Sequence, residues 1–149
     1  MSTNANVKFI VRWGDSEQQE YVNTYHHYDG YIEGVGINLA KFIMSKRSCN
    51  GIGPEDSNSN NIANGIGDLA AQYVAANKHG VGNFYIEPMS STQQWSYDVI
   101  VNLNIYQCIG PENPVKADDT IIIRVKEDNE LVFEGKASEL YKKYYTNEK

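Results

Sequence analysis

From Trp95 to Tyr106 the chain alternates without a break. Trp95, Tyr97, Val99, Val101, Leu103 and Ile105 fall on one side; Ser96, Asp98, Ile100, Asn102, Asn104 and Tyr106 fall on the other. A period of two sustained this long specifies a β-strand with one apolar face, and such a face must be covered. Val7, Phe9, Val11 and Trp13 repeat the pattern against Lys8, Ile10 and Arg12. Gly14-Asp15-Ser16 ends that strand, and a hairpin loop over Asp15–Glu20 leads to a second one at Tyr21–Tyr28. Phe84–Glu87 reads as a short strand stopped by Pro88. Thr120–Lys126 and Glu130–Glu134 read as a hairpin across Glu127-Asp128-Asn129.

Helical spacing supplies the cover. Val35, Leu39, Phe42 and Ile43 form a single stripe, ending near Lys46 or Arg47. Ile62, Ile66, Leu69, Ala70, Tyr73 and Val74 form another over Ile62–Lys78. Asn60 or Asn61 is its expected cap, Gly80 its stop, and Gly65 and Gly67 predict an irregular first turn. A last helix is predicted over Ser138–Tyr145 with Ser138 as cap. Residues 48–61 read as a polar loop. The order β-β-α-α-β-β-β-β-α predicts an α+β fold: a mainly antiparallel sheet with two helices packed on one face and a C-terminal helix, in a single domain over residues 1–149.

Charge and composition exclude several functions. The 149 residues carry a formal net charge of −6, with no basic stripe of the kind that duplex binding needs. No apolar run reaches membrane-span length, and the start MSTNANVKFIVRW lacks a leader's layout, so a cytoplasmic protein is expected, without a membrane partner. Cys49 and Cys108 are too few for a disulfide framework or a cysteine zinc site, and reduced thiols are expected.

Chemistry-bearing residues concentrate in Tyr25-His26-His27-Tyr28-Asp29-Gly30-Tyr31-Ile32-Glu33-Gly34-Val35-Gly36. In a strand His26 and His27 point to opposite faces, so they do not share a metal; no metal and no cofactor are expected. His27 and Asp29 share a face. They form the acid–base pair if the protein is an enzyme, although a turn-locking role for Asp29 fits better. Gly34-Val35-Gly36 opens the first helix, and free N–H groups at Val35 or Gly36 suit an anion. There is no phosphate loop, dinucleotide fingerprint or nucleophile elbow. The chain has 11 tyrosines against 4 phenylalanines, a bias that suits wet binding surfaces and that coding bias explains equally well. Rings converging with Arg12 or Arg124 would make a stacking pocket, although Arg124, set between Ile123 and Val125, is expected to face away from the core.

The twelve-residue segment resembles a pattern in small, uncharacterised proteins of phages and mobile elements, Y-R-H-W-D-G-Y-P-E-G-x-G. His26, Tyr28 and Ile32 depart from it, and the likeness extends loosely over residues 7–105, with Trp95-Ser96-Tyr97-Asp98-Val99 at an aromatic Y-x-Y stretch. Losing the arginine at position 26 removes a bidentate phosphate partner. The resemblance implies an anti-defence role in the host-cell cytoplasm. The expected function is sequestration, without cleavage, of a small nucleotide-derived immune signal, a cyclic nucleotide or ADP-ribose derivative. Arg12, Tyr25, His26, His27, Tyr28, Asp29, Tyr31, Glu33, Val35, Gly36, Trp95 and Tyr97 are the expected ligand-binding residues. They are expected to line a recess enclosed by a homo-oligomer, a dimer or higher. The alternatives are an enzyme degrading such a signal, or a protein–protein inhibitor of a host defence complex.

Overall fold

The computed structural model describes residues 3–13, 17–51, 61–103, 109–110 and 113–145. Strands β1 (Ala5–Trp13), β2 (Glu17–His26), β5 (Phe84–Ile86), β6 (Trp95–Asn102), β8 (Ile121–Glu127) and β9 (Glu130–Gly135) form a six-stranded sheet in the order β5-β2-β1-β6-β8-β9. Between β2 and β5 come a π-helical turn (Ile32–Gly36), α1 (Ile37–Met44), β3 (Arg47–Cys49), β4 (Ile62–Asn64) and α2 (Gly65–Asn77). After β6 come β7 (Val115–Lys116) and a 3₁₀ turn (Ala117–Asp119), and α3 (Ala137–Tyr144) follows β9. β3, β4 and β7 make a small second sheet.

The predicted α+β architecture is the observed one. Every pair in the large sheet is antiparallel except β1 with β6. α1 and α2 connect β2 to its antiparallel neighbour β5, and the segment after Ile86 then carries the chain past β2 and β1 to β6, which pairs parallel with β1 because no hairpin joins the two. Val7, Phe9 and Val11 lie beside Tyr97, Val99 and Val101, and these beside Ile121, Ile123 and Val125, on one buried face. Leu39, Ile43, Leu69, Tyr73 and Leu140 from the three helices join the same core.

Among the described residues no helix covers the opposite face. Cross-strand rungs there read Tyr25–Asn6–Ser96–Lys126, then Asn23–Lys8–Asp98–Arg124–Glu134, then Glu20–Ile10–Ile100–Ile122, then Gln18–Arg12–Asn102. Arg124 faces away from the core as expected. Its Nη1 lies 3.6 Å from Asp98 and its Nε 3.5 Å from Glu134. Asn6 and Asn23 are buried but satisfied. Asn6 Nδ2 donates to Asn23 Oδ1, Asn23 Nδ2 donates to the Pro88 and Ser91 carbonyls, and Gln93 N and Ser96 Oγ donate to Asn6 Oδ1. The Pro88–Gln93 loop is thereby tied across that part of the face.

Several boundaries differ from the sequence reading. Ile62–Asn64 pairs as β4 before α2 begins at Gly65, and Asn64, not Asn60 or Asn61, stands at its cap position. Arg47–Cys49 is likewise a strand, because it finds β4 and β7 as neighbours. Ser138 does not cap the last helix: its own N–H is taken by Asp118 Oδ1 at 2.9 Å, while Glu139 accepts the Lys136 N–H. The start of α3 is thus capped twice, locally by Glu139 and by Asp118 from the 3₁₀ turn, a tertiary contact with no local signal. The alternation expected at Asn104–Tyr106 falls outside the described residues, as does Cys108. Cys49 is buried, its Sγ 2.8 Å from the Gly51 carbonyl oxygen. Among the described residues no helix is long and apolar enough to cross a membrane.

Candidate functional site

The β2–α1 corner is a closed knot. Asp29 sits at φ +57°, in the left-handed region, and turns the chain back on itself. Its carbonyl accepts the Val35 N–H at 2.8 Å, and the Tyr31 carbonyl accepts the Gly34 N–H at 2.9 Å. Tyr97, fully buried on the helix face, donates its hydroxyl to the Gly30 carbonyl at 2.6 Å and lies against the Gly36 backbone N–H. The expectation that Val35 or Gly36 offers a free N–H to a phosphate is therefore corrected, since both groups face internal partners. Gly30 and Gly34 have no room for a side chain. A Cβ on Gly30 would lie 2.7 Å from the Asn4 backbone, and one on Gly34 would overlap the Asp29 carbonyl oxygen.

The two histidines point to opposite faces, as their adjacency requires. His26 is on the helix side, its Nε2 2.8 Å from the Tyr73 hydroxyl and its ring edge-on to Phe84. Burial pulls its pKa down to about 4. The neutral form is therefore native, and the stability this gives is present above the unfolded value of about 6.5 and lost as pH falls toward 4. Between pH 7 and pH 5 urea unfolding should lose about 2 kcal/mol from this residue. In His26→Gln that loss should shrink; an unchanged pH slope would show that His26 is not its source.

His27 Nδ1 lies 2.8 Å from the Tyr25 hydroxyl, and Asp29 Oδ1 accepts the Tyr31 hydroxyl at 2.9 Å. Among the described residues no hydrogen bond joins His27 to Asp29, so the acid–base pair is not assembled. Tyr25 lies under Tyr85 with ring centroids 4.8 Å apart, and His27 meets Tyr28 edge-on. Tyr28, Asp29, Tyr31 and Glu33 are exposed, Trp95 is partly buried against the core, and Arg12 sits at the other end of β1, opposite Gln18 and Asn102. The twelve expected residues thus divide among an outer ring-bearing rim, an inner packed layer and a distant arginine. They do not enclose a common recess. Among the described residues there is also no group of three metal-capable side chains.

A concavity with binding chemistry lies at the amino end of α2. It has a volume of about 260 Å³, and Tyr21, Asn50, Asn64 and Gly65–Gly67 line it over an apolar floor that includes Val11 and Val101. Tyr21 reaches it through a β-bulge. Phe9 pairs with Val22 and Ile10 with Glu20, leaving Tyr21 as the extra residue. Regular alternation would put its ring on the helix-free face; the bulge re-aims it. Gly65 opens the helix at φ +87°, a conformation that favours glycine, and a Cβ on Gly67 would meet nothing within 4 Å. The Asn64 side chain does not cap the helix; its Oδ1 accepts the Gly51 N–H at 2.7 Å. The first-turn carboxylate, Asp68 Oδ2, is held by the Asn64 N–H and by Gln72 Nε2. Sequence reasoning noted Gly65 and Gly67 only as helix weaknesses. Tyr21, one of the strand-borne rings that could converge on a stacking pocket, carries no sequence sign of where it points, because a bulge leaves no periodic trace.

No known protein family, curated protein or solved structure matches the chain.

Proposed function

We propose that the protein binds a small nucleotide-derived ligand and holds it without cleaving it, at the amino end of α2. One observation carries this reading: an exposed tyrosine ring, the Asn50 carboxamide and a helix start whose N-cap side chain is turned to Gly51 meet in one cavity. Tyr21 would stack on a base, the first-turn N–H groups and the helix dipole would face a phosphate, and Asn50 would meet a polar edge. The volume is just under the range of about 300–1,000 Å³ usual for enclosed ligands, so a second copy of the chain would supply the remaining wall. The separation of His27 from Asp29 favours retention over chemistry. The resemblance to phage proteins suggests that the ligand is a signal of a bacterial defence system.

Titration calorimetry with cyclic dinucleotides and ADP-ribose derivatives tests the reading. At least one should bind, and Tyr21→Ala should weaken it by about 1–3 kcal/mol, the worth of one base–ring stack. Chromatography of the recovered ligand should return it intact, whereas an altered ligand would favour the enzyme. Absence of binding to every probe would overturn the proposal.

A further inference from the structure

The helix-free face of the sheet carries a second concavity, of about 180 Å³, whose lining includes Lys8, Arg124, Lys126, Glu20, Asp98 and Ser96. We propose that it is an oxyanion site, sized for one phosphate group, in which Lys8, Arg124 and Lys126 converge across the sheet. The three cations outnumber the two carboxylates in the groove, although the whole chain carries −6. Their donors are not used up. Lys126 makes no ion pair among the described residues. Lys8 Nζ meets Glu20 at 3.3 Å, and it has three protons to give. Arg124 spends Nε and Nη1 on Glu134 and Asp98, which pin the guanidinium and leave Nη2 unspent.

The frame is rigid. Ile10 and Asn6 are fully buried beneath the groove, and Asn6 is locked by the Asn23, Gln93 and Ser96 hydrogen bonds. Lys126 and Asp98 stand on neighbouring strands rather than directly opposite, since Lys126 faces Ser96 and Asp98 faces Arg124. An oxyanion above Ser96 would thus meet cations from β1 and β8 without displacing the Asp98–Arg124 pair. Charged side chains line this groove, whereas a ring, carboxamides and an apolar floor line the α2 cavity, so the two differ in ligand chemistry as well as in place.

The test is a titration of isotope-labelled protein with inorganic phosphate at constant ionic strength, the balance made up with chloride, and read by NMR at the backbone amides and at the lysine side chains. Shifts at Lys8, Ser96 and Lys126 should saturate, the fitted Kd should rise at least tenfold in Lys126→Gln, and Lys142→Gln on α3 should leave it unchanged. Tyr21→Ala should also leave it unchanged, so the result stands apart from the α2 reading. Non-saturating shifts, or equal weakening in Lys126→Gln and Lys142→Gln, would show diffuse charge attraction and overturn the proposal.

Discussion

Gly34→Ala is expected to cost about 3 kcal/mol or more, the upper end for overpacking a tight site. The added methyl would overlap the Asp29 carbonyl oxygen and approach the Asp29 Cβ at 2.8 Å. Neither neighbour is the free end of a flexible side chain. The carbonyl is fixed by the Val35 N–H, and Asp29 already sits at positive φ. Relief therefore requires opening the hydrogen-bonded turn that leads from β2 into α1. Gly67→Ala is the contrasting substitution. Its methyl meets nothing within 4 Å, and alanine is a better helix former by about 1 kcal/mol in an interior position, so stability should be unchanged or slightly raised. Urea unfolding of the two variants beside the parent protein measures the difference. Equal midpoints would mean that the corner is looser than described.

Tyr97→Ala is expected to cost about 3–5 kcal/mol, as for other buried aromatic truncations. The ring is fully buried near the start of β6, between β1 and β8 and under the π-helical turn, where Gly36 would meet it at 3.3 Å if it bore a Cβ. Tyr97→Phe isolates the hydroxyl. It leaves the Gly30 carbonyl without its 2.6 Å donor and should cost about 1–3 kcal/mol, the penalty for stranding a buried acceptor. Burial also drives the Tyr97 pKa far above its ordinary value, so the hydroxyl stays a donor throughout the physiological range. Differential scanning calorimetry of both variants supplies the numbers. If Tyr97→Phe kept full stability and lost only ligand binding, Tyr97 would belong to the site after all.

These two residues show why the fold was more legible than the site. The period-two runs at Val7–Trp13 and Trp95–Asn102, and the apolar stripes of α1 and α2, fix which face each element buries, and that suffices for an α+β sheet. The segment from Tyr25 to Gly36 is equally conspicuous, but its glycines and its Asp29 answer to backbone crowding, and its inner rings to the core. A motif built for a tight crossing and a motif built for a ligand use the same residue types, and sequence spacing does not separate them. The α2 cavity was hidden for the opposite reason. It joins Tyr21, Asn50 and Asn64 from three places in the chain, and the bulge that aims Tyr21 depends on pairing with β1. The small second sheet was missed because strands of two or three residues carry no periodicity, and the cap that Asp118 gives α3 spans 20 residues.

Amide chemical-shift mapping with ADP-ribose and with a cyclic dinucleotide bears most directly on where a ligand sits. The largest changes should fall at Tyr21, Asn50 and Asn64–Gly67, and should vanish in Tyr21→Ala while the rest of the spectrum stays folded. Changes centred instead on Tyr28, Tyr31 and Tyr85, with the α2 terminus silent, would contradict the assignment and return the site to the outer rim of the β2–α1 corner.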